Sequence, residues 1–162
     1  MSIDYWVNLI VGYRFSKDKI NDEFLCEFEQ KSHEEDRYDI HDGHFVERIT
    51  VVDEEGGYDL KLDGKRYEYY EEFAEALGDK LGCEVVVVGE EDDDNVEFII
   101  GYVPDTHDDK FGQIWALTTP GSTDIKALTE AERKLVDLEH ELTILGLPPG
   151  DYRVYITPHV SG

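Results

Sequence analysis

YDLKLDGKRYEYYEEFAEALGDKLGCEVVVVG, residues Tyr58 to Gly89, reads as a hairpin, a helix and a strand in succession. Tyr58–Leu62 and Lys65–Tyr69 flank Asp63-Gly64, the dipeptide that best suits a two-residue type I′ turn, so they predict paired strands. Over residues 70–81, Phe73, Ala76, Leu77 and Leu81 fall on one face of a helix, and Gly82 is a good residue to end it in the left-handed conformation. Cys83–Gly89 is a continuous apolar run of strand length, as a buried strand requires.

The same reading extends both ways. Ile3, Tyr5, Val7, Leu9, Val11 and Tyr13 alternate, with Trp6 and Ile10 on the opposite face, which predicts an interior strand over Ile3–Phe15. Ser16 can cap a helix over 17–30, where Ile20, Phe24 and Phe28 recur at four-residue spacing. Residues 31–43 (KSHEEDRYDIHDG) read as an acidic loop, and 44–53 as a strand. Beyond Gly89, Glu90–Asn95 is an acidic turn leading back into a strand over Val96–Val103. Residues 113–118 predict a short strand. Thr129 and Glu132 form a capping-box pattern, followed by Leu135, Leu138, Leu142 and Leu145 at helical spacing. Tyr152–Thr157 is the last strand.

The predicted order is β-α-β-β-β-α-β-β-β-α-β. It points to one α+β domain over 1–162, with a mostly antiparallel sheet of seven to eight strands and three helices packed on it. The first half has the element order of a ferredoxin-like unit with one extra strand, a likeness of order that carries no function.

Charge is the outlying property. Of 162 residues, 39 are acidic and 15 basic, a net charge of −24. Residues 21–55 hold 13 acids and three bases, and residues 90–109 hold nine acids and no base, so two segments carry 19 of the 24 net charges. An apolar fraction of 40% with 12% aromatics separates the chain from disordered acidic tails. No apolar run approaches the ~20 residues of a membrane-spanning helix. The Met-Ser-Ile-Asp-Tyr-Trp start has no basic n-region, so no signal peptide is expected. Cys26 and Cys83 read as reduced, buried thiols, and a cytoplasmic location is expected, the host cytoplasm if the protein is viral.

Catalytic patterns are missing. No serine lies in Gly-x-Ser-x-Gly, and neither phosphate-binding glycine motif occurs, so no enzyme activity and no cofactor are expected. The acidic turn after Glu90 fails the EF-hand pattern, which needs Gly at position 6 and Glu at position 12. His41 and His44, in a loop that also holds His33-Glu34-Glu35-Asp36, offer imidazole for Zn²⁺ or another first-row metal, without the i, i+4 spacing of a helical site. Leu128–Leu145 resembles a coiled-coil seam but covers under three heptads, leaving monomer and dimer open.

A field this negative attracts basic partners and repels nucleic acid, whose phosphates need Lys and Arg. The expected partner is a basic nucleic-acid-binding protein, a nuclease or defence effector, and the expected role is that of an inhibitor mimicking nucleic acid. The acids expected to meet it are Glu34, Glu35, Asp36, Asp39, Asp42, Asp53, Glu54 and Glu55 in the first segment. In the second they are Glu90, Glu91, Asp92, Asp93, Asp94, Glu97, Asp105, Asp108 and Asp109. In composition alone, the chain resembles the anti-restriction and anti-CRISPR proteins of bacteriophages. Two alternatives stand beside this: a metal-binding protein or small metalloenzyme built on loop 33–44, and an ordinary domain made acidic by a high-salt habitat.

Overall fold

The computed structural model describes residues 4–91, 93–104 and 125–161. Within them the chain forms an α+β fold whose strand pairings are all antiparallel. Strand β1 (Asp4–Ser16) leads into α1 (Lys17–Phe24) and then β2 (Leu25–Phe28), β3 (Lys31–Tyr38), β4 (Phe45–Glu54), β5 (Gly57–Leu62) and β6 (Lys65–Tyr67). Helix α2 (Tyr70–Leu81), β7 (Glu84–Val88), β8 (Glu97–Tyr102), α3 (Ile125–Ile144) and β9 (Arg153–Ser161) follow. The expected single sheet is three: β7-β8-β1-β9, β2-β5-β6 and the two-stranded β3-β4. The strand expected over 113–118 lies outside the described residues.

Strand β1 is interior, between β8 and β9, as its apolar residues on both faces require. Val11, Tyr13 and Phe15 from β1 and Phe98 and Ile100 from β8 meet Phe73, Leu77 and Leu81 of α2 and Leu135, Leu138 and Leu142 of α3. Leu138 and Leu142 are wholly buried, and burial of such side chains contributes about 1.5–3 kcal/mol each. Phe73 joins the sheets. Its ring lies 5.1 Å from Phe24 of α1, 6.2 Å from Tyr67 of β6 and 6.4 Å from Phe98 of β8. Gly12 and Gly101 are paired across β1 and β8, and a Cβ on either would overlap the neighbouring strand's backbone.

Turns and caps largely follow the sequence. Asp63 (φ 50°) and Gly64 (φ 84°) make the left-handed pair of the β5–β6 turn. Gly82 ends α2 in the left-handed conformation, and the Ser16 side chain accepts from the Lys19 N–H at 3.3 Å. Helix α1 stops at Phe24 rather than near residue 30, because Leu25–Phe28 pair with Gly57–Leu60. Thr129 lies inside α3, where its hydroxyl donates to the Ile125 carbonyl at 2.8 Å, so it does not cap the helix. Strand β7 is half-buried rather than enclosed.

The largest departure is at 31–38, expected as loop and found as a strand. Together β2-β3 and β4-β5 make one long hairpin. Its base joins the three-stranded sheet, and its outer part, β3-β4, is solvent-exposed along nearly its whole length. At ~3.3 Å per residue, the eight residues of β3 reach roughly 26 Å. Gly56 sits where the hairpin passes from base to ribbon. A Cβ there would come within 3.0 Å of the Phe28 carbonyl oxygen.

Candidate interaction surface

The β3-β4 ribbon lacks the apolar alternation that usually specifies a strand, and its ladder is held by ionic pairs instead. The register sets Asp36 opposite Arg48 and Arg37 opposite Glu47. Asp36 accepts from Arg48 at 2.8 Å, Glu47 accepts from Arg37 at 3.1 Å, and Glu34 lies 3.8 Å from Arg48. Opposite-charge cross-strand pairs of this kind contribute about 0.2–1 kcal/mol each. On the face that also carries the Arg37–Glu47 pair, His33 stands between two carboxylates, with Nδ1 2.6 Å from Asp53 and Nε2 2.6 Å from Glu35. Those hydrogen bonds, Glu35 first and Asp53 second, raise its pKa above the ordinary imidazole value. Glu54 pairs with Arg66 and lies 3.9 Å from Lys31.

The ribbon also exposes apolar side chains. Tyr38, Phe45, Val46, Ile49 and Val52 are all open to solvent, and Ile40 at the tip is 97% exposed. Tyr38 and Phe45 stack edge-on at 6.2 Å. The tip is a tight turn in which Asp39 accepts from the His41 N–H at 2.7 Å and Asp42 from the His44 N–H at 3.0 Å. A two-stranded ribbon with no covered face is marginal in isolation, so its ionic ladder and its anchorage in the base hairpin must hold it.

Of the second acidic segment, Glu91 lies beside the base hairpin. Lys17 reaches the 90–95 turn, 3.2 Å from the Asp93 carbonyl and 3.5 Å from the Asp94 carboxylate. The N-cap residue of α2, Tyr69, supplies no side-chain hydrogen bond, and the Glu91 carboxylate accepts from the Glu71 N–H at 3.2 Å in its place. A carboxylate at a helix N-terminus is favourably placed against the helix dipole. Glu97 is tied to Arg14.

Between the turn, the start of α2 and the base hairpin runs a groove of about 290 Å³, lined by Leu25, Tyr58, Asp59, Glu68, Tyr69 and Glu91 among others. Tyr58 is 68% exposed and Tyr69 50%. The lining includes three acidic residues and neither Lys nor Arg, with Asp59 on the opposite face of β5 from Tyr58 and Leu60. Among the described residues Asp59, Glu68 and Glu91 have no ion-pair partner, and the same is true of Glu71, Glu72 and Glu75 on the adjoining helix. Six of the ribbon's acids thus have a basic partner within 4 Å, while the acids around the α2 N-terminus have none among the described residues.

Of the acids expected to meet a partner, Glu34, Glu35, Asp36, Asp53 and Glu54 belong to the ion-paired ladder. Asp39 and Asp42 shape the tip. Among the described residues Glu55, Glu90 and Glu91 lack an ion pair with a base. Asp92, Asp105, Asp108 and Asp109 lie outside the described residues. Asp59, Glu68 and the exposed tyrosines were not singled out in the sequence, because each is an isolated residue in a strand or turn and only the fold brings them to Glu91. His41 and His44 both sit in the tip, with His44 Nε2 4.0 Å from Asp42. Among the described residues no group of three or more His, Cys, Asp or Glu is placed to share an ion. Cys26 and Cys83 are free and half-buried rather than fully buried, and burial pushes the Cys83 thiol up to about 12, away from its thiolate form.

No protein family, no curated protein and no solved structure matches this chain.

Proposed function

We propose that this is an acidic docking protein that binds the basic, nucleic-acid-binding surface of another protein and keeps nucleic acid off it. The fitting partner is a nuclease or a restriction or CRISPR effector, the targets of the phage inhibitors that the chain resembles in composition. The observation that carries this reading is the juxtaposition of an exposed ribbon and a groove at its base, which together present apolar side chains and carboxylates. Protein interfaces combine an apolar centre with a polar rim. Here the exposed Tyr38 and Phe45 on one face of the ribbon and Ile49 on the other are available for apolar contact, and Asp59, Glu68, Glu90 and Glu91 have no ion-pair partner among the described residues. The ladder carboxylates can exchange Arg48 and Arg37 for cations of the partner, because those pairs are solvent-exposed and individually weak.

Salt adaptation alone gives no reason for long apolar side chains on an uncovered ribbon. A metal centre would need converging donors, which the described residues do not supply.

The test is capture. The immobilised protein is exposed to nuclease-treated bacterial lysate at low salt and eluted in a salt gradient, beside a Phe45→Ala/Ile49→Ala variant. A nucleic-acid-binding protein retained late in the gradient by the parent, and lost or eluted early from the variant, supports the reading. A smear of basic proteins leaving early and equally from both columns would show only ion exchange and would refute it.

A further inference from the structure

We infer that the groove at the base of the ribbon receives an arginine side chain of the partner. The inference rests on the docking role proposed above and assigns that surface a specific pocket. Five of the groove's lining residues are apolar or aromatic, namely Leu25, Tyr58, Leu60, Tyr69 and Tyr70. Its other three are acidic, and because Asp59 faces away from Tyr58 and Leu60 across β5, the carboxylates offered to an occupant are those of Glu68 and Glu91. Leu60 is buried and forms the floor, and Tyr70 is fixed by a 2.9 Å hydrogen bond from its hydroxyl to Asn21. Tyr58 and Tyr69 stand open beside them.

Charge and shape select the occupant. At about 290 Å³ the space suits one long side chain, since pockets for drug-sized ligands begin at roughly that volume. Nucleobases could stack on the tyrosines, but their phosphates would meet Glu68 and Glu91 with no Lys or Arg in the lining. A cation is favoured, and the helix N-terminus that would oppose it is already offset by Glu91. Between the two cationic side chains, guanidinium is planar, more weakly hydrated and able to lie on an aromatic face while donating to carboxylates. Ammonium keeps its water and acts as a point charge. The chain shows the same preference within itself: Arg66 lies over the Phe28 ring at 4.1 Å on the opposite face of the same hairpin.

The experiment titrates the full-length protein with hexa-arginine and, separately, hexa-lysine, and follows the tyrosine ring resonances by NMR. Hexa-arginine should shift the Tyr58 and Tyr69 rings and bind about two- to fivefold tighter than hexa-lysine, the ratio a surface cation–π contact of 0.5–1 kcal/mol provides. Tyr69→Leu should abolish that preference, Tyr69→Phe should keep it, and Glu68→Gln should weaken both peptides. Equal binding of the two peptides, or a preference unchanged in Tyr69→Leu, would overturn the inference. So would ring shifts that follow protein concentration alone, which would place a second copy in the groove. The ribbon variant Phe45→Ala/Ile49→Ala leaves the groove intact. Loss of partner capture there, with the arginine preference retained, supports this inference and the ribbon's role in docking. A preference that survives with no partner captured by the parent would end the docking reading and leave the pocket standing.

Discussion

Replacing Gly101 with Ala tests the most constrained contact in the main sheet. Gly101 on β8 faces Gly12 on β1. A Cβ at Gly101 would overlap the Val11 carbonyl oxygen and come within 2.6 Å of the Gly12 Cα. The obstacle is backbone on an interior strand, so no side chain can swing aside. Relief requires moving β1 and β8 apart, which strains the ladder between Val11 and Ser16 and the layer formed by Tyr13, Phe15, Phe98 and Ile100. Over-packing costs about 1–3 kcal/mol where side chains can adjust, and a backbone obstacle sets the expectation at about 3 kcal/mol. For a domain of this size that lowers Tm by roughly 6–12 °C. Gly150→Ala is the control: its Cβ would meet nothing within 4 Å, so its effect should stay within about 0.5 kcal/mol. Thermal unfolding followed by circular dichroism and calorimetry reads both. Gly12→Ala should behave like Gly101→Ala, and the double variant should cost less than their sum, because strands already forced apart admit the second methyl more cheaply. A Gly101→Ala protein melting within about 2 °C of the parent would refute the close approach of the two strands.

Other outcomes follow from the same geometry. His33, held by Glu35 and Asp53, should titrate above its ordinary value near 6.5, and Glu35→Gln/Asp53→Asn should bring its NMR-observed midpoint back down. Because the folded pKa is raised, the imidazolium's support of the ribbon is full below about pH 6.5 and fades as pH rises through the raised value. Ribbon cross-strand contacts should therefore loosen on the alkaline side, and loosening on the acid side instead would contradict the assignment. Phe73→Ala removes a wholly buried ring that touches Phe24, Tyr67 and Phe98. It should cost about 3–5 kcal/mol in urea unfolding, and a loss under 1 kcal/mol would show that Phe73 does not join the sheets. Cys83, with its thiol pushed up to about 12, should resist iodoacetamide at pH 8 until the protein is unfolded, and rapid labelling of the folded protein would contradict its burial.

The sequence announces those parts of the fold in which local chemistry and tertiary packing agree. Asp63-Gly64, Ser16 and Gly82 act where their residue types direct, and the leucines of α3 face the core at the spacing that predicts it. Strand β3 was illegible because KSHEEDRY has no apolar alternation. What makes it a strand is its cross-strand partners, Arg48 for Asp36 and Glu47 for Arg37, which lie ten or more residues away. The same separation shortened α1, whose last expected turn is taken by pairing with Gly57–Leu60. Counting acids along the chain found the charged segments but not their state. The pairing of ribbon acids with Arg37, Arg48, His33 and Arg66, and the lack of such pairs around Glu91, depend on which side chains the fold brings together.

The central claim is that this protein and nucleic acid compete for one basic surface. The direct measurement takes the nucleic-acid-binding protein retained in the capture experiment and determines its affinity for this protein with and without saturating duplex DNA, at one fixed salt concentration. Mutual exclusion is expected: apparent affinity falls as DNA is added, and no ternary complex forms. A stable ternary complex, with affinity unchanged by DNA, would contradict it.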